Sequence, residues 1–255
     1  MSSVTIALIA FACIFGGALA GLLIQRLLPE HHLQKQSKDA VKMGVALVAT
    51  MAALVLGLLV SSAKSTYDLT NTELVQMSAK IIMLDRLLAQ YGSETDDARH
   101  ELRKSVSDAI ILIWPDQYSG KKGMKAIELL NRGEQFTKKL RHLSPGTETQ
   151  RSILNQTLLL SSDIVLSRWL LIAQYHNAPP PEFLVILIFW VSAINLTYGL
   201  FAPRNMTVIT VLFFCAVSVS ACILLINEMN RPLDGLIKVS SGPMRDALEQ
   251  IGGKF

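Results

Sequence analysis

Four stretches of this chain carry no charged residue: 1–25, 43–63, 183–203 and 205–227. Each is 21 to 25 residues long. A helix needs about 20 apolar residues to cross the ~30 Å hydrocarbon core of a bilayer. Within that core no water satisfies a backbone N–H or C=O, so the crossing segments must be helical. One such run suits the core helix of a soluble protein; four in 255 residues do not. The charged fraction agrees, at 17% against about 25% in soluble domains. The expected fold is an all-α membrane protein with four transmembrane helices and a helical soluble region between helices 2 and 3. The expected division is a transmembrane hairpin over 1–64, soluble helices over 65–181, a second hairpin over 182–230 and an amphipathic tail over 231–255.

The first run has no Lys or Arg before it, is long for a signal peptide and leads into no small-x-small cleavage site. It reads as a retained span over about residues 4–28. Gly16, Gly17, Ala20 and Gly21 form two overlapping small-xxx-small pairs, the pattern that lets helices approach closely in lipid. Cys13, Cys215 and Cys222 all lie within spans, without CxxC spacing, and read as small packing residues rather than metal or disulfide partners.

The net charge of +4 comes from basic residues interleaved with acids, which gives no nucleic-acid footprint. No HExxH, EF-hand loop, P-loop or GxSxG is present. Neither an enzymatic site nor a cofactor is therefore read, and no metal set. Glu30, His31 and His32 adjoin one another but point apart on a helix, which suits a solvated linker. His100, His142 and His176 are isolated.

The second run has two unequal faces. At 100° per residue, Ala46, Ala49, Thr50, Ala53, Gly57, Ser61 and Lys64 share one side. Leu47, Met51, Leu54, Val55, Leu58 and Leu59 take the other. The small, faintly polar side either packs on another helix or lines a watery path. Neither Pro nor Gly follows between residues 65 and 91, so the helix should continue beyond the membrane. There Leu74, Met77, Ile81, Leu84, Leu88 and Tyr91 recur at alternating spacings of 3 and 4, a seam for packing. Thr70 and Glu73 have capping-box spacing, which predicts a kink or fresh start between residues 65 and 70. Gly92 should stop the helix. Further soluble helices are expected over about 95–114, with Ser93 or Thr95 as cap, over 124–142, and over about 147–175, with Thr147–Gln150 as a capping box. Asp85, beside Arg86 and with Arg99 near the following turn, should form a register-fixing ion pair.

The third and fourth spans, about 182–201 and 206–227, are joined by a tight APRN hairpin. Asn195 should find an interhelical hydrogen-bond partner. Glu228 and Arg231 stand at the end of the fourth span. They suit an interfacial cap or salt bridge or, around a pore, a mouth charge that biases ion selectivity. In the tail, Met244, Ala247, Leu248 and Ile251 form an apolar stripe on a short helix with Pro243 at its first position.

Three blocks of this chain, LPEHHLQKQSKDAVKMGVALVATMAALVLGLLVSSAKSTYD, LDRLLAQYGSETDDAR and NRPLDGLIKVSSGPMRDAL, resemble the signature blocks of the bestrophin-like domain family of bacterial and plant membrane proteins. The resemblance covers most of the chain. Bestrophins are pentameric anion channels with four transmembrane helices. Their second helix lines the pore, and helical segments between helices 2 and 3 form a cytosolic vestibule. By that resemblance this chain is expected to be a multi-pass protein of the bacterial inner membrane. It would form a homo-oligomeric ion channel, pentameric by analogy, that conducts inorganic anions along the small face of helix 2. The alternative is a non-conducting membrane scaffold or sensor whose soluble helices bind a partner.

Two departures stand out. Helix 2 carries no aromatic residue, where bestrophins narrow the pore with bulky apolar ones. The tail offers only Asp234, Asp246 and Glu249 as acids, so no calcium gate is expected. The positive-inside count leaves the topology open. The uncharged start followed by Arg26 favours an outside N-terminus; the bestrophin comparison favours an inside one, which is the orientation expected.

Overall fold

The structure, a computed structural model, describes residues 2–27, 35–115, 126–175 and 181–253. The expected linker site at Glu30, His31 and His32, and the lone His176, lie outside them. The described residues contain eight α-helices and no strand: α1 Ser3–Ile24, α2 Lys35–Tyr91, α3 Asp96–Ile113, α4 Ala126–Arg141, α5 Glu148–Tyr175, α6 Pro181–Phe201, α7 Met206–Met229 and α8 Gly242–Gln250. Four of them, α1, α2, α6 and α7, are long and apolar enough to cross a membrane.

The chain divides into two compact units. The first comprises residues 1–66, 178–231 and 235–237; the second comprises 67–177, 232–234 and 238–255. Helix α2 supplies residues to both. It runs for 57 residues without a break, so the fresh start expected at Thr70 is not found. The reason is local. Thr70 is buried at 5% exposure within a stretch that offers neither Pro nor Gly to release the i→i−4 ladder. A change from an uncharged surface to a heptad-like one alters what the helix packs on, not whether it stays helical.

In the first unit, α1 crosses α6 at very short range. A β-carbon on Gly17 would lie 2.8 Å from the Ser192 carbonyl oxygen. On Gly21 it would overlap the Leu196 carbonyl, and on Gly199 the Ala18 carbonyl. Gly16 faces open space, so of the two small-residue pairs only Gly17 and Gly21 make the crossing. Close backbone approach replaces the hydrophobic drive that water would supply. Phe213 of α7 meets Phe11 and Phe15 of α1 edge-on, at centroid distances of 5.6 Å, a favoured ring geometry. Cys222 packs among residues of α2 and α6. Cys13 and Cys215 are exposed in the single chain, unlike the packing role expected of them. Asn195 also departs from expectation. Its Nδ2 donates to the Val191 carbonyl of its own helix at 3.0 Å, because a back-bond one turn away is always within reach.

In the second unit the whole seam of α2 is buried. Leu74, Met77, Ile81, Leu84, Leu88 and Tyr91 are each at most 5% exposed. All but Tyr91 share a core with Val106 and Ile110 of α3, Trp114 just after it, Phe136 and Leu140 of α4, and Met244, Leu248 and Ile251 of the tail stripe. That stripe, Met244, Ala247, Leu248 and Ile251, is buried as its spacing predicts. Pro243 sits in the first turn of α8, one residue in, because Gly242 opens the helix. Trp114 Nε1 donates to the Val239 carbonyl at 2.9 Å, which ties the tail to α3 and satisfies a buried indole.

The end of α2 is fixed by several bonds. Gly92, at φ 135°, takes a backbone conformation that favours glycine and ends the helix. Thr95 precedes α3 but does not cap it. Its hydroxyl is buried and donates back to the Leu88 and Gly92 carbonyls. At the start of α5 the Gln150 N–H donates to Thr147 Oγ1 at 3.1 Å, one half of the expected capping box. The Gln150 side chain accepts from the Gly146 N–H at 2.9 Å and donates to the Tyr91 carbonyl at 3.1 Å. It thereby joins the start of α5 to the end of α2.

Asp85 and Arg99 form a two-pronged ion pair, with both N···O distances 2.9 Å. Arg86 is exposed and takes no part. The hydrogen bonds to Asp85 raise the Arg99 guanidinium above its ordinary pKa. Removing Asp85 leaves the Arg99 guanidinium, 24% exposed, with only the Asp96 carboxylate at 4.0 Å, so part of its charge is left uncompensated. Asp85→Ala is therefore expected to cost on the order of 3 kcal/mol, read as a lowered unfolding temperature of the purified protein. The double variant Asp85→Leu/Arg99→Met should recover most of that loss. A single variant as stable as the wild type would refute the anchoring role.

Candidate functional site: the uncovered arc of α2

Along its apolar stretch α2 presents three arcs. One is covered by its own chain. Ala52, Leu59 and Ala63 are at most 7% exposed, in a cluster with Leu187, Ile194 and Ile226 of α6 and α7. Val55 joins this cluster as well. Val55 and Leu59 therefore leave the large-residue face on which the spacing placed them. The second arc keeps the rest of that face, with Leu47, Met51, Leu54 and Leu58 between 48% and 75% exposed.

The third arc is the small one. Ala46, Thr50, Ala53, Gly57, Ser61 and Lys64 are all exposed, and Ala49 is half-buried where this arc meets the covered one. A β-carbon on Gly57 would meet nothing within 4 Å. Among the described residues, then, no helix of the same chain packs on the small arc except at its edge, where Ala49 joins the cluster with α6 and α7. Thr50 spends its hydroxyl proton on the Leu47 carbonyl at 2.7 Å, so its oxygen retains lone pairs and the arc stays only faintly polar. Lys64 is the first charge after the uncharged run and is exposed.

Glu228 and Arg231 are placed apart in character. Glu228 is 4% exposed. Its carboxylate accepts the Leu236 N–H and sits against Gly235, where a β-carbon would crowd it. It caps the turn that follows α7. Arg231 is exposed, and its carbonyl accepts the Gly235 N–H at 2.9 Å. The turn folds as it does because Gly235 lets the chain pass close to that carboxylate. Glu–x6–Gly spacing after a span is the only trace of this in the sequence, and the spacing alone does not announce a turn.

Among the described residues no three His, Cys, Asp or Glu side chains converge as a metal set would.

The comparisons with known proteins bear on the whole chain. Curated protein sequences give no match. Among solved structures, a variant of a bacterial bestrophin homologue from Klebsiella pneumoniae superposes with a TM-score of 0.64 at 12% identity, covering 98% of this chain and 99% of that one. A second variant of the Klebsiella pneumoniae homologue gives 0.61 at 12% identity, covering 96% and 98%. A crystal structure described only as a membrane protein gives 0.52 at 14% identity, covering 92% and 98%. At these identities the likeness concerns the fold: the four apolar helices and the helical segments of this chain follow the bestrophin arrangement. The family match is of another kind, since the Bestrophin-like domain spans residues 12–244, nearly the whole sequence. With four spans in that arrangement this is an integral membrane protein, and it belongs to the bestrophin-like domain family.

Proposed function

We propose that this chain is the subunit of a homo-oligomeric ion channel of the bacterial inner membrane, anion-conducting, with the small arc of α2 lining the path. One observation carries the reading. Six small or polar positions, Ala46, Thr50, Ala53, Gly57, Ser61 and Lys64, are exposed along one side of a membrane-spanning helix, and the chain's own helices cover a different side. An arc of Ala, Thr, Gly and Ser is poorly suited to lipid, yet it narrows a central path only a little. Copies of α2 arranged around an axis would bring these arcs together. Five copies is the number that bestrophins suggest. Lys64 would then form a ring of cations at one end of the path, and such rings favour anions. Arg231, exposed at the end of α7, is the mouth charge that this reading keeps. Glu228, committed to its turn, stabilises that end instead.

The test is ion flux through purified protein in planar bilayers or liposomes. Wild-type protein should conduct, with chloride more permeant than potassium. Lys64→Glu should reduce that preference or reverse it, as read from the shift in reversal potential under a salt gradient. A folded, oligomeric protein that stays silent would overturn the reading. An unchanged reversal potential in Lys64→Glu would remove Lys64 from the path.

A further inference from the structure

Within the membrane-spanning unit, α2, α6 and α7 leave a cleft of about 550 Å³ that the conduction reading does not use. Its walls are mostly apolar and include Val45, Tyr198, Phe201, Val208, Val211 and Leu212. Lys42 also lines it, the last charged residue before the uncharged run of α2, together with Thr207 in the first turn of α7. Lys42 is exposed and pairs with no carboxylate among the described residues, and the Thr207 hydroxyl has no partner among them.

A cleft of this size lies in the range of ligand pockets, about 300–1,000 Å³. Left empty, it would forfeit dispersion contacts along its walls. Water does not fill it well, because each molecule needs two to four polar partners. Hydrocarbon does. From Thr207 to Leu212 the cleft descends about 7.5 Å along the helix at 1.5 Å per residue. That is the depth of a glycerol backbone and the upper part of an acyl chain, short of the midplane at about 15 Å.

The charge at its mouth selects the headgroup. Asn205 Oδ1 takes only the Val208 N–H, at 2.9 Å. The Ile209 N–H goes to the Asn205 carbonyl at 3.3 Å, which leaves the Met206 and Thr207 N–H groups and the positive end of the α7 dipole to an anion. Arg204 lies in the same hairpin and donates to Gln25 at 3.1 Å, which places Arg26 at this end too. Among the described residues this end carries Arg26, Lys35, Lys38, Lys42 and Arg204 against a single carboxylate, Asp39.

We propose that the cleft binds an anionic phospholipid, one acyl chain against Val208, Val211 and Leu212 and the phosphate at Lys42 and the first turn of α7. The proposal is independent of whether the protein conducts ions.

The test uses the full-length oligomer in mild detergent, with phosphatidylglycerol and phosphatidylcholine of identical chains, and reads retained lipid by native mass spectrometry. Wild-type protein should retain phosphatidylglycerol about fivefold better, the contribution of one lysine near a membrane surface. Lys42→Gln should remove that preference, whereas Lys38→Gln, at the same end but outside the cleft, should keep it. Val211→Trp, placed on a residue 56% exposed, should fill the cleft and lower retention of both lipids. Equal retention of the two lipids by the wild type would overturn the proposal. So would a preference that survives Lys42→Gln or falls equally with Lys38→Gln. If Val211→Trp changed the oligomeric mass and left lipid retention alone, a second copy of the chain would be the occupant and the proposal would fail.

Discussion

Gly21→Leu is expected to destroy the membrane-spanning unit, while Gly16→Leu, five residues earlier, should be tolerated. The contrast follows from what each new side chain meets. At Gly21 even the β-carbon overlaps the Leu196 carbonyl oxygen and crowds the Leu200 nitrogen 2.9 Å away. Both are backbone atoms of a helix, so no rotamer change relieves the clash. Helix α1 must move away from α6 and surrender the Gly17 and Gly199 contacts along with it. Overpacking a flexible core costs about 1–3 kcal/mol, and a clash with fixed backbone belongs at or above the top of that range. At Gly16 nothing lies within 4 Å. Size-exclusion profiles after a heating series should show Gly21→Leu losing its folded peak well below the wild-type temperature. Gly16→Leu should stay within a few degrees of it. Equal behaviour of the two variants would mean that α1 and α6 do not cross as described.

Ala53→Trp is expected to reduce ion flux by about tenfold or more without loss of the assembled protein, since a pore of fixed radius is sensitive to side-chain bulk. Ala53 is exposed within the small arc, about two turns of helix from Ala46 and three from Lys64. An indole there would project outward from α2, so the fold of the single chain has no reason to object. In the proposed assembly it would project into the path, repeated by symmetry. Ala53→Ser, similar in size, should conduct like the wild type. The measurement is liposome flux normalised to oligomer recovered. Wild-type flux in the tryptophan variant would place the path elsewhere and leave the small arc as a packing surface between subunits.

Much of the architecture was readable because the physics is local. Four charge-free runs of spanning length require four helices, and the alternating 3 and 4 spacing from Leu74 to Tyr91 needs a buried partner wherever it lands. The α8 stripe and the Thr147–Gln150 cap are equally short-range signals. The misreadings arose where two local signals competed. Thr70 and Glu73 have capping-box spacing, but a cap needs an interrupted helix, and nothing in that stretch interrupts one. Asn195 has a partner four residues away on its own helix, so it does not need one across an interface.

The candidate surface was harder to read, for a different reason. Helical periodicity divides α2 into two faces, small and large. The chain's own α6 and α7 cover a third direction that cuts across that division and takes Val55 and Leu59 from the large face. Only tertiary packing identifies the arc that remains uncovered. The α1–α6 crossing shows the same limit. The sequence offered two overlapping pairs of small residues on α1, and only the position of α6 selects Gly17 and Gly21. Gly199, which completes the contact, stands alone in an apolar run, and nothing local marks it as a contact.

That crossing also bears on how such a chain diverges. A fold shared at 12% identity has tolerated replacement at most of its positions. Glycine is the smallest residue, so every mutation at Gly21 or Gly199 adds bulk against a carbonyl, and no change on the facing helix can create room, because backbone has no smaller substitute. These two sites therefore cannot drift by compensated pairs as ordinary core positions do. A descendant that loses either glycine must set its first and third spans farther apart, and helix separation should record that loss even where the sequences have become unalignable.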